Sequence, residues 1–409
     1  MVTAGGSPPK PVQRRDAMRH TDILIVGGGL AGATAAAMLG RAGVDAMLVD
    51  PHERFPVDFR CEKLDPTQVA ILERTGLLPE VLAATAAATT LRVARFGHVL
   101  DDKPGAQNGI RYDDLVNTVR AAIPDSVSFI KAKVTGIATS DDRQTVTLSD
   151  GESVSARLVV VASGLHPGLL HVLGLERTIT SQCHSVTIGF DVTPVGSAAF
   201  DFEALTYYPE HATDRAAYLT LFPVPGAMRA NYMVYRGLDD PWLAAFRKDA
   251  KAALIAMMPR LPQAIGDFAV TGTIRIRPAD LYATSGHLQP GIVLAGDAFA
   301  TSCPAAGTGS GKVFTDVERL CNVHIPAWLA SPGMGTDKIA AFYADPVKQA
   351  YDAYSLNLAH RLKARSIDTT PRWRADRVAR FASRWAAGVA RRARQPGAAI
   401  ADAAGAHHA

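Results

Sequence analysis

The sequence predicts an α/β protein: a parallel sheet covered by helices, interrupted by a sheet-rich insertion and followed by C-terminal helices. Three observations in the first fifty residues carry that prediction. Residues 23–26 form a short, β-branched apolar run, the pattern of a strand buried on both faces. Gly27, Gly29 and Gly32 follow at the G-x-G-x-x-G spacing and open an alanine-rich stretch, 33–39, that favours a helix. Residues 44–49 then restore the strand pattern and end on Asp50.

Each part of this first unit has a physical task. The first glycine permits a tight turn, the second lets backbone approach a pyrophosphate, and the third lets helix pack closely on strand. Leu30 and Ala31 lie between the second and third glycines. There a helix N-terminus offers free N–H groups and a partial positive charge to phosphate. The carboxylate of Asp50, at the end of the second strand, is placed to accept from a ribose hydroxyl. Strand, glycine turn, helix, strand and acid in this order read as a Rossmann-like dinucleotide site. A purely structural glycine turn is the competing reading, and the motif leaves NAD, NADP and FAD open.

Composition bounds the rest. At 409 residues, 48% hydrophobic and 20% charged, the chain is globular and long enough for two cooperating domains. The apolar stretches are broken by Gly, Pro or charge before they reach transmembrane length. Residues 1–20 lack the continuous apolar core of a secretory signal and read as a flexible tail. The four cysteines, Cys61, Cys183, Cys303 and Cys321, are widely spaced with no zinc or C-x-x-C pattern. They fit reduced thiols in a cytoplasmic protein. Formal net charge is +4, yet residues 372–394 alone carry +7, leaving about −3 elsewhere. The main body therefore gives no electrostatic argument for nucleic acid.

After Asp50, Pro51 and Pro56 make a loop that contains Arg60, where an arginine can neutralise a pyrophosphate bidentately. An ordinary surface arginine is the alternative. Asp65 as N-cap and Pro66 announce a helix ending at Gly76. Residues 91–100 follow, and then 109–123, helical in spacing with Arg111 at its opening. The segments 128–137 and 144–148 alternate like small antiparallel strands. Residues 158–162 form another buried parallel-type strand, ending at Ser163-Gly164.

Between about 181 and 278 the character changes to alternating strands. Residues 217–222 and 227–235 form a hairpin across Pro223 to Gly226, and 241–258 reads as one amphipathic helix. Tyr207, Tyr218, Phe222 and Tyr232 in this insertion are candidates to line a substrate cavity. Ordinary core packing is the competing reading for each, because aromatic residues favour strands anyway.

A second glycine-rich stretch covers 291–320. Residues 292–295 are a buried strand, Gly296-Asp297 its turn, and Pro304, Gly307, Thr308 and Gly309 lead into a helix from about Lys312. A carboxylate at a strand's C-terminal end before another glycine-rich helix start belongs at the ligand crevice of a doubly wound sheet. One dinucleotide held at two distant sequence sites points to extended FAD rather than a dissociable nicotinamide. Beyond 325 the chain is helical. The last helix, about 371–393, sets Val378, Phe381, Trp385 and Val389 on one face among arginines. That stripe is expected to dock on its own domain. The alternative is an anionic membrane surface or an acidic partner. Residues 395–409 read as disordered.

The glycine motif at 27–32, Asp50, Arg60 and the run GDAFATSCPAAGTGSG at 296–311 together resemble the single-component flavoprotein aromatic hydroxylases, the para-hydroxybenzoate hydroxylase fold. The likeness spans roughly 20–180 and 280–325. It implies an FAD-binding domain in two parts, 21–180 and 281–325, a substrate domain at 181–280, and C-terminal helices at 326–394. It further implies that Gly27, Gly29 and Gly32 contact the FAD pyrophosphate and Asp50 the adenosine ribose, with Val134 among the cofactor-binding residues. Arg60 would stand near the flavin, Arg111 by the ribityl chain and Asp297 on a ribityl hydroxyl. Pro304 and Gly307 to Gly309 would lie beside the isoalloxazine. Three positions depart from the family pattern: Asp50 stands where Glu is frequent, Ser163 in place of Asp in an Asp-Gly pair, and Phe299 in place of a His.

The activity implied is a monooxygenase using NAD(P)H and O2 to hydroxylate a small aromatic or heteroaromatic substrate through a flavin C4a-hydroperoxide. A flavin enzyme of the same fold without oxygen insertion is the alternative, either a C=C reductase of a lipid-like substrate or an oxidase. A non-catalytic flavoprotein is a third reading, motivated by Ser163. Halogenation is disfavoured, since the four tryptophans never fall at W-x-W spacing.

Overall fold

The computed structural model describes residues 18–60 and 62–394. The expected tail at 395–409, most of that at 1–20, and Cys61 lie outside the described residues. The chain begins with the predicted unit: β1 (Arg19–Val26), α1 (Leu30–Arg41) and β2 (Ala46–Asp50). Alanines at 33, 35, 36 and 37 are fully buried and let α1 lie close against the sheet. Next come β3 (Lys63–Leu64), α2 (Pro66–Arg74), α3 (Leu78–Ala83), β4 (Ala86–Arg95), β5 (His98–Gly109) and α4 (Tyr112–Ala121). Asp65 caps α2 through a capping box with Gln68, and Pro66 occupies its first turn, as the sequence predicts. The chain continues through β6 (Ser128–Lys131), β7 (Val134–Ala138), β8 (Gln144–Leu148), β9 (Ser153–Val161) and α5 (Gly168–Val172).

A long strand, β10 (Glu176–Pro194), opens the insertion, followed by β11 (Ala204–Tyr208), β12 (Ala216–Val224) and β13 (Ala227–Val234). The predicted 223–226 hairpin joins β12 to β13, with Gly226 in the left-handed region at φ 79°. Three short helices follow, α6 (Pro241–Lys248), α7 (Ala250–Met257) and α8 (Leu261–Ile265). The single helix expected over 241–258 is therefore two. Asp249 is extended, at φ −148° and ψ 93°, and its carboxylate caps the second helix by accepting from the Ala252 amide at 2.9 Å. The last strands are β14 (Phe268–Ser285) and β15 (Ile292–Leu294). Helices α9 (Gly309–Arg319), α10 (Ile325–Leu329), α11 (Thr336–Tyr343), α12 (Pro346–Ile367) and α13 (Pro371–Arg394) finish the described chain.

Two sheets organise these elements. The first runs β6-β2-β1-β9-β8-β7, with β15 also paired to β9; its β1, β2, β6, β9 and β15 are mutually parallel. Parallel strands flanked by helices explain the near-continuous apolar runs read in the sequence. The second sheet has eight strands in the order β14-β10-β13-β12-β11-β4-β5-β3. Its outer strands differ from the predicted division at 181–280. β3, β4 and β5 come from 63–109, and β10 begins at Glu176 while β14 runs on to Ser285. The second sheet is thus assembled from two stretches of chain, and β4 meets β11 in parallel.

One acid ties α12 to α9 and to the helical turn that follows α9. Asp345 caps α12 by accepting from the Val347 and Lys348 amides, and it also takes Arg319 at 2.9 Å and His324 at 3.1 Å. Burial works against its charge, but these hydrogen bonds and the Arg319 cation outweigh it and hold its pKa down to about 2, from 3.8. A depressed acid stabilises the fold above its unfolded pKa, and that stability is lost as pH falls through the folded value. Acid titration should therefore cost the wild type about 1–2 kcal/mol between pH 4 and pH 2. Asp345→Asn should lose about 1–2 kcal/mol less than the wild type over the same range. Urea unfolding at stepped pH measures both.

Candidate functional site

The first glycine turn leaves β1 at its C-terminal end. Gly27 has φ 104°, and a Cβ there would lie 2.6 Å from the Ala162 carbonyl oxygen. A Cβ on Gly32 would lie 1.8 Å from the Gly27 carbonyl oxygen, so only glycine lets α1 approach the turn. Gly29 differs from both. A Cβ there meets only the Phe55 ring at 3.8 Å, and no side chain caps the N-terminus of α1. The fold itself does not require glycine at 29. Its missing side chain leaves the N-terminus of α1 open to a group arriving from outside.

Asp50 sits at the C-terminal end of β2, buried, with both oxygens engaged. Oδ2 accepts from the Gly28 amide at 2.7 Å, while Oδ1 accepts from the His52 amide at 2.8 Å and pairs with Arg120 at 3.2 Å. A carboxylate has about four acceptor positions, so one remains for a further donor. Arg120, at the end of α4, also donates to the Gly28 and His52 carbonyls, bracing the turn from behind. Sequence reading missed Arg120, because nothing marks one exposed-looking arginine on an amphipathic helix. Val134 begins β7, three residues past Lys131, which is in register with Asp50.

The second glycine segment arrives beside the first. β15 pairs with β9, and the turn after it brings Gly296 so close to α1 that a Cβ there would lie 3.5 Å from that of Ala31. Arg60 closes the far side. It pairs with Asp297 at 2.8 Å and with Asp58 at 2.8 Å, and stands 5.5 Å over the Tyr112 ring. Burial disfavours the Arg60 charge, but Tyr112, Asp297 and Asp58 overcome this and raise its pKa. Asp58 also holds Arg277 from β14, and its pKa falls below the usual carboxylate value because Arg60 and Arg277 outweigh its burial. Tyr282, on the same strand, donates to the Asp297 carbonyl at 2.7 Å. Ser163 lies at the end of β9, with its hydroxyl buried and without a hydrogen-bond partner.

Pro304 to Ala306 form a short 3-10 turn, and Gly307 follows at φ 67° with open space where a Cβ would stand. Its carbonyl accepts from Gln68 at 2.5 Å, and Thr308 bonds Ser355 at 2.6 Å. Helix α9 starts at Gly309, three residues before the expected Lys312. It can do so because Gly311 leaves room for Tyr351, whose hydroxyl would lie 2.0 Å from a Cβ there. Behind this loop lies a buried charge cluster. Asp316 takes Lys312 at 3.3 Å, Lys348 at 2.9 Å and the Gly296 amide at 3.0 Å, and Asp352 pairs with both lysines. The i,i+4 pair Lys312–Asp316 was visible in the sequence as a signal not used. Phe299 packs on His287 and Tyr343, with the Lys348 ammonium 4.5 Å above its ring.

The four aromatic candidates separate. Tyr207 and Tyr232 are fully buried in the core between the second sheet and α6 to α8. Their hydroxyls meet the Gly97 amide and the Met257 sulfur. Phe222 shares Tyr218's face of β12, but it is buried under Lys63 near Gly109. These three are core, contrary to the expectation that they line a cavity; alternation along the strands sends Tyr207 and Tyr232 to the far face. Tyr218 alone reaches the second glycine loop, donating to the Ala305 carbonyl. Burial pushes its pKa up, so it stays protonated at neutral pH. Arg111 caps α4 and pairs with Asp191 of β10 at 3.3 Å. Asp191 in turn holds Arg229, which reaches Glu62 at 2.7 Å. This ladder of alternating charge beneath the sheet is a second feature the sequence did not disclose.

The open cradle at Gly29, the uncapped α1 and the unpaired Ser163 hydroxyl fit a ligand that brings phosphate oxygens and further polar groups into one crevice. Comparison with known proteins agrees. A family profile described as "FAD binding domain" matches residues 20–323. A ubiquinone hydroxylase, UbiL, from Rhodospirillum rubrum is 31% identical over 361 residues, 83% of this chain and 81% of the relative. A menaquinone reductase from Mycolicibacterium smegmatis is 28% identical over 308 residues, 71% of this chain and 73% of the relative. Among solved structures, p-nitrophenol 4-monooxygenase PnpA from Pseudomonas putida DLL-E4 superposes with a TM-score of 0.71 at 17% identity, covering 91% of this chain and 95% of that one.

Proposed function

The chain belongs to the FAD-binding-domain family of flavin-dependent oxidoreductases, and from that premise we propose that it is a monooxygenase hydroxylating a small aromatic or heteroaromatic compound with NAD(P)H and O2. The observation that carries this reading is the convergence of two glycine turns, at 27–32 and 296–309, on one sheet edge, clasped by the Arg60–Asp297 pair. Gly27, Gly29, Leu30, Ala31 and Gly32 would hold the pyrophosphate, Asp50 the ribose, and Val134 the adenine side. Arg60, Arg111 and Asp297 would border the ribityl chain, and Pro304, Gly307, Thr308 and Gly309 the ring system. FAD, when bound there, supplies the redox and oxygen-transfer chemistry. The chain's own part is to fix the ring against the second sheet, keep water out, hold the second glycine loop through Tyr218 and the Ala305 carbonyl, and offer the buried Ser163 hydroxyl as a donor.

The decisive experiment adds NADPH or NADH anaerobically to the FAD-loaded protein, then oxygen with a panel of phenols and heteroaromatics. Bleaching of the flavin bands and incorporation of one atom from labelled O2 into product are the expected results. Nicotinamide oxidation that never yields hydroxylated product would overturn the reading.

One observation favours a second reading, in which the substrate is lipid-like and its C=C bond is reduced without oxygen insertion. The apolar stripe of α13 does not dock as expected. Phe381 turns inward, but Val378, Trp385 and Val389 are 69%, 57% and 42% exposed, beside exposed Arg372, Arg374, Arg392 and Arg394. The reason is Gly388, where a Cβ would lie 1.9 Å from the Leu100 carbonyl oxygen; that contact and Arg391–Asp101 orient the helix. No helix among the described residues is long and apolar enough to cross a membrane. An outward stripe of Trp and Val ringed by arginine suits an anionic lipid surface. The protein should float with anionic liposomes, and Trp385→Ser with Val389→Ser should reduce the bound fraction severalfold. Equal flotation of the two proteins would argue against membrane contact through this face.

A further inference from the structure

The inward side of α13 covers a small cavity one side chain away from the second glycine turn: Tyr208 in its wall packs on Tyr218 at 6.2 Å, and Tyr218 donates to the Ala305 carbonyl. Arg95 of β4, Arg365 of α12, and Arg377 and Arg380 of α13 line it, with Tyr208 and Phe381 among its apolar walls. Four arginines therefore border one space, and no carboxylate lies among the cavity's lining residues. Asp376 is the nearest counter-ion and is committed to Arg365, at 2.6 and 3.1 Å. Glu210 turns its carboxylate toward Arg260 at 3.7 Å, and Asp214 accepts from the His211 amide at 2.8 Å.

Arg95, Arg377 and Arg380 are held in place by neutral groups. Arg95 stands 4.0 Å over the Phe381 ring and donates to the Pro209 and Glu210 carbonyls. Arg377 donates to the Arg365 and Asp368 carbonyls, and Arg380 to the Tyr208 hydroxyl at 3.0 Å, with Arg384 stacked 4.9 Å over the same ring. These bonds orient the forks without neutralising them. Burial and the crowding of like charges lower the pKa of Arg95 and of Arg380 below the ordinary arginine value. The space, partly open to solvent, is about 30 Å³, room for roughly two waters or one oxyanion head rather than an extended molecule.

We propose that this cavity is an oxyanion site that takes a single phosphate group, contributed either by a free phosphate or by an anionic lipid headgroup. Planar guanidinium forks match phosphate oxygens bidentately, and a phosphate would supply the missing negative charge. Its ligand would also pin α13 to α12 and to the second sheet.

The test uses FAD-saturated protein, so that the pyrophosphate site is already filled. Inorganic phosphate is titrated calorimetrically against sodium chloride of equal ionic strength. In parallel, flotation is measured with phosphatidate in phosphatidylcholine and with phosphatidylcholine alone. Saturable phosphate binding, weakened at least tenfold in Arg377→Gln/Arg380→Gln, would support a free phosphate as ligand. Flotation with phosphatidate that the same double substitution abolishes, without binding of free phosphate, would identify the headgroup. Arg380→Lys, which keeps the charge and loses the fork, should weaken whichever binding is seen by roughly tenfold, and it keeps the test decisive if the double variant does not fold. Absence of binding in both arms, or binding unchanged by the substitutions, would overturn the proposal.

Discussion

Replacing Gly29 with aspartate should give a protein at least as stable as the parent that purifies without flavin. Gly29 has φ −72° and ψ −169°, extended backbone open to any residue, and a Cβ there touches only Phe55 at 3.8 Å. The residue is also the N-cap of α1, which has no side-chain cap. An aspartate would satisfy N–H groups there and add a few tenths of a kcal/mol of stability, the margin of aspartate over glycine at an N-cap. The same carboxylate would occupy the donors a pyrophosphate needs and repel its charge. Like charges about 4 Å apart at an effective dielectric of about 20 cost about 4 kcal/mol, so FAD affinity should fall on the order of a thousandfold. Visible absorption and thermal unfolding read the two effects separately. Full flavin occupancy in the variant would place the pyrophosphate elsewhere. Gly32→Ala is the contrasting case, losing flavin and fold together, because its Cβ collides with backbone at 1.8 Å.

The second large effect concerns stability alone. Asp316→Ala leaves buried Lys312 and Lys348 to share the single carboxylate of Asp352 and removes the acceptor for the Gly296 amide. Burial works against charge on Lys312 and Asp316, and their partners outweigh it: the Lys312 pKa is raised and the Asp316 pKa lowered. Removing one partner of such a cluster costs about 3–5 kcal/mol, and the midpoint of urea unfolding should fall accordingly. Replacing Lys312 and Lys348 with methionine and Asp316 with leucine together should recover most of the loss, since the buried charges disappear as a set. A triple variant no more stable than Asp316→Ala would show that the cluster contributes packing rather than charge balance. Asp352 is 28% exposed and can turn to water in that variant.

The sequence disclosed what repeats locally. The β1-α1-β2 unit, the Asp65 cap, the 223–226 hairpin and the Asp297 turn each follow from residues within a few positions of one another. Long-range choices were hidden. Nothing near residues 86–109 says that β4 and β5 leave the first sheet for the second, because edge pairing is settled by partners a hundred residues away. Tyr207 and Tyr232 alternate correctly as strand residues, but period-2 logic does not say which face meets the ligand crevice. The orientation of α13 was misjudged for a similar reason. Its apolar stripe is real, and a close backbone contact at Gly388 with the Arg391–Asp101 pair turned most of it outward. Arg120 and Arg277, which brace Asp50 and Asp58, carry no local signature at all.

The clasp between Arg60 and Asp297 has a consequence for the newborn protein. Its two halves are separated by 237 positions along the chain. At typical synthesis rates roughly ten to fifty seconds pass between their emergence from the ribosome. Throughout that interval the glycine turn at 27–32 exists without its counterpart, and β9 waits with an unpaired edge for β15. Flavin capture is therefore a late event in biosynthesis, and until then the exposed strand edge is a hazard for the chaperones of the cell to manage.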